Sequence, residues 1–217
     1  MGIEASFHFN SLMGKRAQSV DYKIISRIRG HGRGWVFTLA DFHDLGGRNA
    51  IALALMRHTR AGTIRQLARG LYDYPRQDSR LGILAASTDD IAKALRGRDD
   101  LRLQASGAHA ANLLGLSTQV PTRAVYLTDG RGRKVQVGKR QIILKHTTTR
   151  QMATAGRTSG LIIQAFRWLG QQNVDHSIVS LLQKKLSDRD KKQLLKDLRY
   201  APAWVADAMR KVAETPS

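Results

Sequence analysis

The chain has 217 residues, 42% of them hydrophobic, enough for one large domain or two small ones with a real core. It carries 36 Lys+Arg against 17 Asp+Glu, a formal charge of +19 and a pI near 11.0, so the expected partners are polyanions. Cysteine is absent, which excludes disulfides, thiolate catalysis and cysteine-based zinc sites; no run approaches the roughly 18 apolar residues of a membrane span and the start lacks a signal-peptide pattern, so a cytoplasmic protein with no membrane partner is expected.

Residues 1–18 show no periodicity and are expected to form a flexible N-terminus, in which Gly14-Lys15-Arg16 could reach a groove. Ser19 is a good N-cap for a helix carrying Val20, Ile24 and Ile28 at helical spacing, with Gly30 as its stop. Gly30-His31-Gly32-Arg33-Gly34 follows a helix, precedes a strand and lacks the G-x-G-x-x-G spacing. It reads as a loop that could lie on a DNA backbone.

Residues 35–75 organise the rest of the chain. Their pattern predicts a strand, a helix, a sharp turn, a second helix and a two-stranded wing, a winged helix-turn-helix spanning residues 19–78. Thr38 can cap a helix from Leu39, with Asp41 three residues on completing a capping box. Gly46 and Gly47 are expected to end it through left-handed conformations. The second helix, from about Arg48, turns Ile51, Ala54, Leu55 and His58 to one side and Asn49, Leu53, Met56, Arg57 and Arg60 to the other. Asn pairs with adenine, Arg with guanine, and an apolar side chain meets a thymine methyl. Leu53 and Met56 have a second reading, as contacts to the second half of the protein. No acid lies between Asp44 and Asp73, where Arg48, Arg57, Arg60, Arg65 and Arg69 do. Thr38, Arg48, Asn49, Met56, Arg57, Arg60, Arg65, Arg69 and Arg76 are the candidate DNA-binding residues, with Arg65 and Arg69 near the wing tip and Arg76 just after it.

The run from Trp35-Val36-Phe37-Thr38 through Asp41-Phe42 to Arg69-Gly70-Leu71-Tyr72, together with Ala201-Pro202-Ala203-Trp204 near the end, resembles AbiEi-type antitoxins. The resemblance is close over residues 20–76 and looser to about residue 214. His58 departs from it, standing where that pattern has a leucine. The resemblance implies a transcriptional regulator of a type IV toxin–antitoxin operon. Its double-stranded operator DNA would be one partner. A nucleotidyltransferase-like toxin would be the functional partner, opposed without a necessary stable complex.

Residues 79–217 are expected to form one antitoxin-like domain after a linker at residues 76–79. Ser87-Thr88-Asp89-Asp90 opens a helix, residues 101–105 alternate as a strand, and residues 107–114 suit a short helix stopped by Gly115. Residues 123–128 and 134–137 read as a hairpin joined at Asp129-Gly130, followed by a strand over residues 140–146. Residues 158–214 carry four helical stripes. The expected fold class is therefore α+β: a winged helix-turn-helix, a small central antiparallel α+β unit and a helical C-terminal part. Lys184, Lys185, Arg189, Lys191, Lys192 and Lys196 form a candidate second basic surface.

Catalytic signatures are weak. Asp41, His43 and Asp44 crowd one short helix whose adjacent positions point apart. No H-E-x-x-H, P-loop or G-x-S-x-G pattern is present. No catalytic residue, metal site or cofactor is expected, and the protein reads as a non-enzymatic, sequence-specific DNA-binding repressor. The competing readings are a nucleic-acid-processing enzyme and a basic protein-interaction module.

Overall fold

A computed structural model describes residues 19–97, 101–119 and 121–214; the expectation for residues 1–18 lies outside them. The architecture is mixed α+β. The chain divides into two compact units, Met1–Arg98 and Asp99–Ser217.

The first unit opens with α1, Val20–His31, whose N-cap Ser19 Oγ accepts the Tyr22 amide at 3.1 Å. It buries Ile24, Ile25 and Ile28. The helix runs one residue past Gly30, and the positive φ falls on Gly32. Strand β1, Val36–Thr38, leads into Leu39–Phe42. The capping box forms: Asp41 Oδ2 accepts the Thr38 amide at 2.7 Å and the Thr38 hydroxyl at 3.1 Å. It caps a single 3-10 turn, however, not the helix expected there. Arg27 explains the shortening. Its guanidinium binds the Asp41 carbonyl (2.7 Å) and grips the Asp44 carboxylate (2.6 and 2.8 Å), tying the C-terminal side of the turn and the residues just after it to α1. The role of the glycines also differs. Neither Gly46 nor Gly47 has a positive φ. Gly46 is needed because a Cβ there would lie 2.8 Å from Val20 Cγ2, and Gly47 is the extended N-cap of the next helix.

That helix, α2 (Arg48–Arg60), buries Ile51, Ala54 and Leu55. They join the α1 isoleucines, Phe37, Phe42 and Ile64 in one core. Phe37 and Phe42 meet edge-to-face at 5.4 Å, a geometry worth about 0.5–1.5 kcal/mol beyond area burial. Strands β2 (Arg65–Ala68) and β3 (Leu71–Asp73) form the expected antiparallel pair, turning at Gly70 with φ +73°. β1 adds to the far side of β3, giving the order β1-β3-β2.

Two features displace the boundary expected at residue 78. The supposed linker is a small hairpin, β4 (Gln77–Asp78) with β5 (Gly82–Ile83). Asp78 Oδ1 accepts the amides of Arg80 and Leu81 at its turn. Helix α3, Thr88–Arg96, then packs on β1 and buries Ile91, Ala92 and Leu95. Residues 79–97 thus complete the first unit.

The second unit holds a four-stranded sheet built from β6 (Leu103–Ser106), β7 (Arg123–Thr128), β8 (Arg133–Val137) and β9 (Arg140–His146). Its order is β6-β7-β9-β8, with β7 and β9 parallel and the other pairs antiparallel. The sheet is therefore mixed, and β7 and β8 are not the hairpin that Asp129-Gly130 suggested. Arg102 takes the Asp129 carboxylate through its amide and Nε, both at 2.8 Å. Gly130 has no positive φ, as a tight primed turn would require. The hairpin is β8–β9, turning at Gly138 with φ +58°.

The helical part follows expectation more closely. Helix α4 is Gly107–Leu114, capped by left-handed Gly115. Helices α5 (Thr158–Leu169), α6 (His176–Lys185), α7 (Asp188–Asp197) and α8 (Ala203–Ala213) enclose a core of Ile162, Ile163, Phe166, Leu182, Leu194 and Met209. Buried Asp197 is held by Arg157 (2.8 Å), Ser159 (2.5 Å) and Gln193 (3.0 Å), which ties α7 to the start of α5. A buried carboxylate requires such partners.

Candidate nucleic-acid interface

Helix α2 presents the clearest surface. Asn49, Leu53, Met56 and Arg60 recur at spacings of four, three and four, and so form one stripe along the helix opposite its buried face. All four are exposed. The apolar pair is unusual there: Leu53 is 43% and Met56 39% exposed. Within the first unit neither side chain is buried. No acid occurs anywhere on α2.

Arg57 flanks the stripe, with Nη1 3.7 Å from Asp21 Oδ1. His58, the departure from the resembling pattern, sits half-buried with Nε2 3.4 Å from Asp21 Oδ2. No aligned hydrogen bond joins the two, and the nitrogen is shielded from solvent. Arg48 is exposed in the first turn, off the stripe. Arg69 is exposed at the β2–β3 turn.

Thr38 and Arg65 are engaged within the fold, and Arg76 lies away from the wing turn. Thr38 is bound to Asp41, as above. Arg65 is partly exposed but engaged by an acid. Its Nη2 and Nε grip Asp73 at 2.6 and 3.0 Å, and Nη2 also donates to the Leu84 carbonyl at 3.0 Å. Asp73 is 1% exposed, and its carboxylate raises the Arg65 pKa still further above the usual guanidinium range. Arg65 therefore joins β3 to the end of the second hairpin. Arg76 lies beyond the Asp73 end of the sheet, away from the turn that carries Arg69. The loop after α1 lies there too, since Gly34 donates to the Tyr74 carbonyl at 2.6 Å. The loop expected on the DNA backbone is thus remote from the wing turn.

In the second unit most of the expected basic residues are exposed. On α7, Arg189, Lys192 and Lys196 are exposed along one side, whereas Lys191 is half-buried. Lys184 is exposed on α6, and Lys185 donates to the Leu114 carbonyl at 2.9 Å. The sheet carries a denser field. No Asp or Glu occurs from residue 130 to residue 174. In that interval Arg131, Arg133, Lys134, Lys139, Lys145 and Arg150 are exposed. Strand register puts Lys134 beside Ile143, and Leu127 beside Lys145, so Lys134 and Lys145 share a face with Arg123. The signal was present in the sequence as the missing acids. Its clustering on one sheet was not, because it depends on the β7–β9 pairing.

The weak catalytic candidates each make bonds within the fold. Asp41 holds Thr38, Asp44 holds Arg27, and His43 Nδ1 lies 2.7 Å from the Ala40 carbonyl. His109 pairs with the Tyr126 hydroxyl at 2.8 Å, and His146 with the Gly130 carbonyl at 3.0 Å. Among the described residues no three His, Asp or Glu side chains come together as a metal-ligating group. No helix of the described residues is long and apolar enough to cross a membrane.

Fold and surface together define a basic α+β protein of two compact units. The chain belongs to DUF6088, a family of unknown function whose model matches residues 23–194. No curated protein matches it. A solved structure similar to it is the crystal structure of the RV2827C protein from Mycobacterium tuberculosis, at 14% identity, covering 93% of this chain and 78% of that one with a TM-score of 0.47.

Proposed function

We propose that this chain is a DNA-binding transcriptional repressor whose first unit works as a winged helix-turn-helix. Helix α2 enters the major groove, Asn49 and Arg60 read base edges, and Leu53 and Met56 meet thymine methyls. The β2–β3 hairpin is the wing, with Arg69 on phosphate. The 3-10 turn of Leu39–Phe42 stands in for the first helix of the pair, held by Arg27. The basic sheet of the second unit adds phosphate contacts that carry no sequence information. By its resemblance to AbiEi-type proteins, the chain acts in the cytoplasm as the antitoxin of a type IV system, opposing a nucleotidyltransferase-like toxin, with no catalytic residue or cofactor of its own.

The observation that carries the DNA-binding part is the Asn49-Leu53-Met56-Arg60 stripe, exposed on an acid-free helix whose opposite face is buried. Footprinting on the chain's own promoter tests it. A discrete protected site supports repression at an operator, whereas uniform binding to any duplex leaves only a charge effect. The antitoxin part is tested separately, by co-expressing the chain with a nucleotidyltransferase-like neighbouring gene and scoring growth.

A further inference from the structure

The first unit contains a cleft of about 320 Å³ between edge strand β1 and α3, at the lower end of small-molecule sites. Three cations from distant parts of the sequence line it: Arg33, Arg76 and Lys93. Two acids line it as well, and both have internal partners. Asp41 holds Thr38, while Asp90 accepts the Ser87 hydroxyl at 2.6 Å and lies 3.6 Å from Lys93 Nζ.

The two arginines are different. Arg33 donates to the Pro75 carbonyl at 3.0 Å, and Arg76 Nε donates to the Arg33 carbonyl at 3.3 Å. These bonds orient the guanidinium groups without neutralising them, and neither arginine has a carboxylate partner among the described residues. Most of their N–H donors stay available. Gly34 makes the arrangement possible. Its φ is +97°, and a Cβ on it would lie 2.1 Å from Arg76 Nε.

A flat aromatic surface adjoins them. The His31 ring stacks on Trp35 at 3.8 Å and 13°, and the indole is backed by Phe37 at 4.6 Å. His31 is exposed. The Arg33 guanidinium lies 4.9 Å from the Tyr74 ring centroid; a guanidinium recognises a phosphate through bidentate hydrogen bonds, and a stacked ring receives a planar base.

We propose that this cleft binds a free mononucleotide, with its phosphate on Arg33 and Arg76 and its base against His31. The site is separate from the wing turn and does not depend on operator binding.

Calorimetric titration of the full chain with AMP, GMP, CMP and UMP, each alone, tests this, with inorganic phosphate and adenosine as partial ligands. At least one nucleotide should bind ten-fold or more tightly than either partial ligand. Arg76→Gln should weaken it at least ten-fold, Gly34→Ala should weaken it by displacing Arg76, and Arg69→Gln should leave it unchanged. Circular dichroism on each variant confirms the fold, and Arg76→Lys, which keeps charge but not the planar fork, should fall between. Absence of binding by all four nucleotides overturns the proposal. So does an Arg76→Gln protein that binds nucleotide normally, or one that loses affinity only for duplex DNA, which would make the cleft a backbone contact.

Discussion

Arg65 and Asp73 face each other across β2 and β3 in register and share two hydrogen bonds of 2.6 and 3.0 Å. The carboxylate is buried while a third of the arginine side chain remains exposed. Removing the cation leaves a charge in the interior with nothing to offset it. Arg65→Gln is therefore expected to destabilise the chain by about 3 kcal/mol, the lower end of the range for breaking a buried pair. Urea denaturation measures this. The salt dependence of DNA binding should not change in the folded variant. A stable variant whose salt slope falls by the equivalent of roughly one phosphate would return Arg65 to the interface.

The position of α3 changes where the chain can be cut. A fragment ending at residue 80 lacks Ile91, Ala92 and Leu95, all buried, and lacks the Leu84 carbonyl that Arg65 binds. A fragment of residues 1–98 retains them. The longer fragment should unfold cooperatively and the shorter one should melt at lower temperature or not fold, by thermal circular dichroism. Equal stability of the two would mean that α3 contributes nothing to the first unit.

Some of this was legible in the sequence. The two faces of α2 follow from a period of 3.6, and the Thr38–Asp41 capping box follows from spacing. What the box caps did not, because the grip of Arg27 on Asp44 joins residues 17 positions apart. Asp129-Gly130 has hairpin chemistry, but Arg102 redirects the aspartate from 27 positions away. The charge of Arg65 was visible, while the burial of Asp73 beside it was not. Local patterns fixed elements; the long-range carboxylate partners decided their lengths, their pairing and which arginines remain outward.

Those partners also set an acid limit. The Arg102 side chain holds Asp129 below the usual carboxylate range, and the Ser187 and Thr158 hydroxyls do the same for Asp190. A carboxyl lowered in this way binds a proton more weakly when folded than when unfolded. The stability it contributes is complete above the unfolded-chain value of about 3.9 and is lost as pH falls through the lower folded value. Denaturation midpoints should fall with pH below about 4. In Asp129→Asn the fall should be shallower from a lower plateau. An identical pH profile in the variant would remove Asp129 from the cause.

The sheet of the second unit makes a prediction about salt. Lys134→Gln with Lys145→Gln should lower the slope of log affinity against log salt by up to about 1.8, at roughly 0.9 for each phosphate no longer neutralised, without altering site preference. Lys192→Gln with Lys196→Gln on α7 should have the smaller effect, because α7 also carries Asp188 and Asp190. Gel shifts across a salt series compare them. A larger effect from α7 would move the second basic surface back to that helix.

On the proposed reading, α2 makes the base contacts. The most direct measurement selects bound duplexes from a random pool with the wild-type chain, then repeats the selection with Asn49→Ala and Arg60→Ala at fixed salt. The wild type should enrich one motif. Each variant should lose preference at one position of it, by about 1–3 kcal/mol, with the remaining positions and the salt slope of nonspecific binding retained. Enrichment of the same motif at the same strength by all three proteins would remove α2 from base recognition and place it elsewhere on the chain.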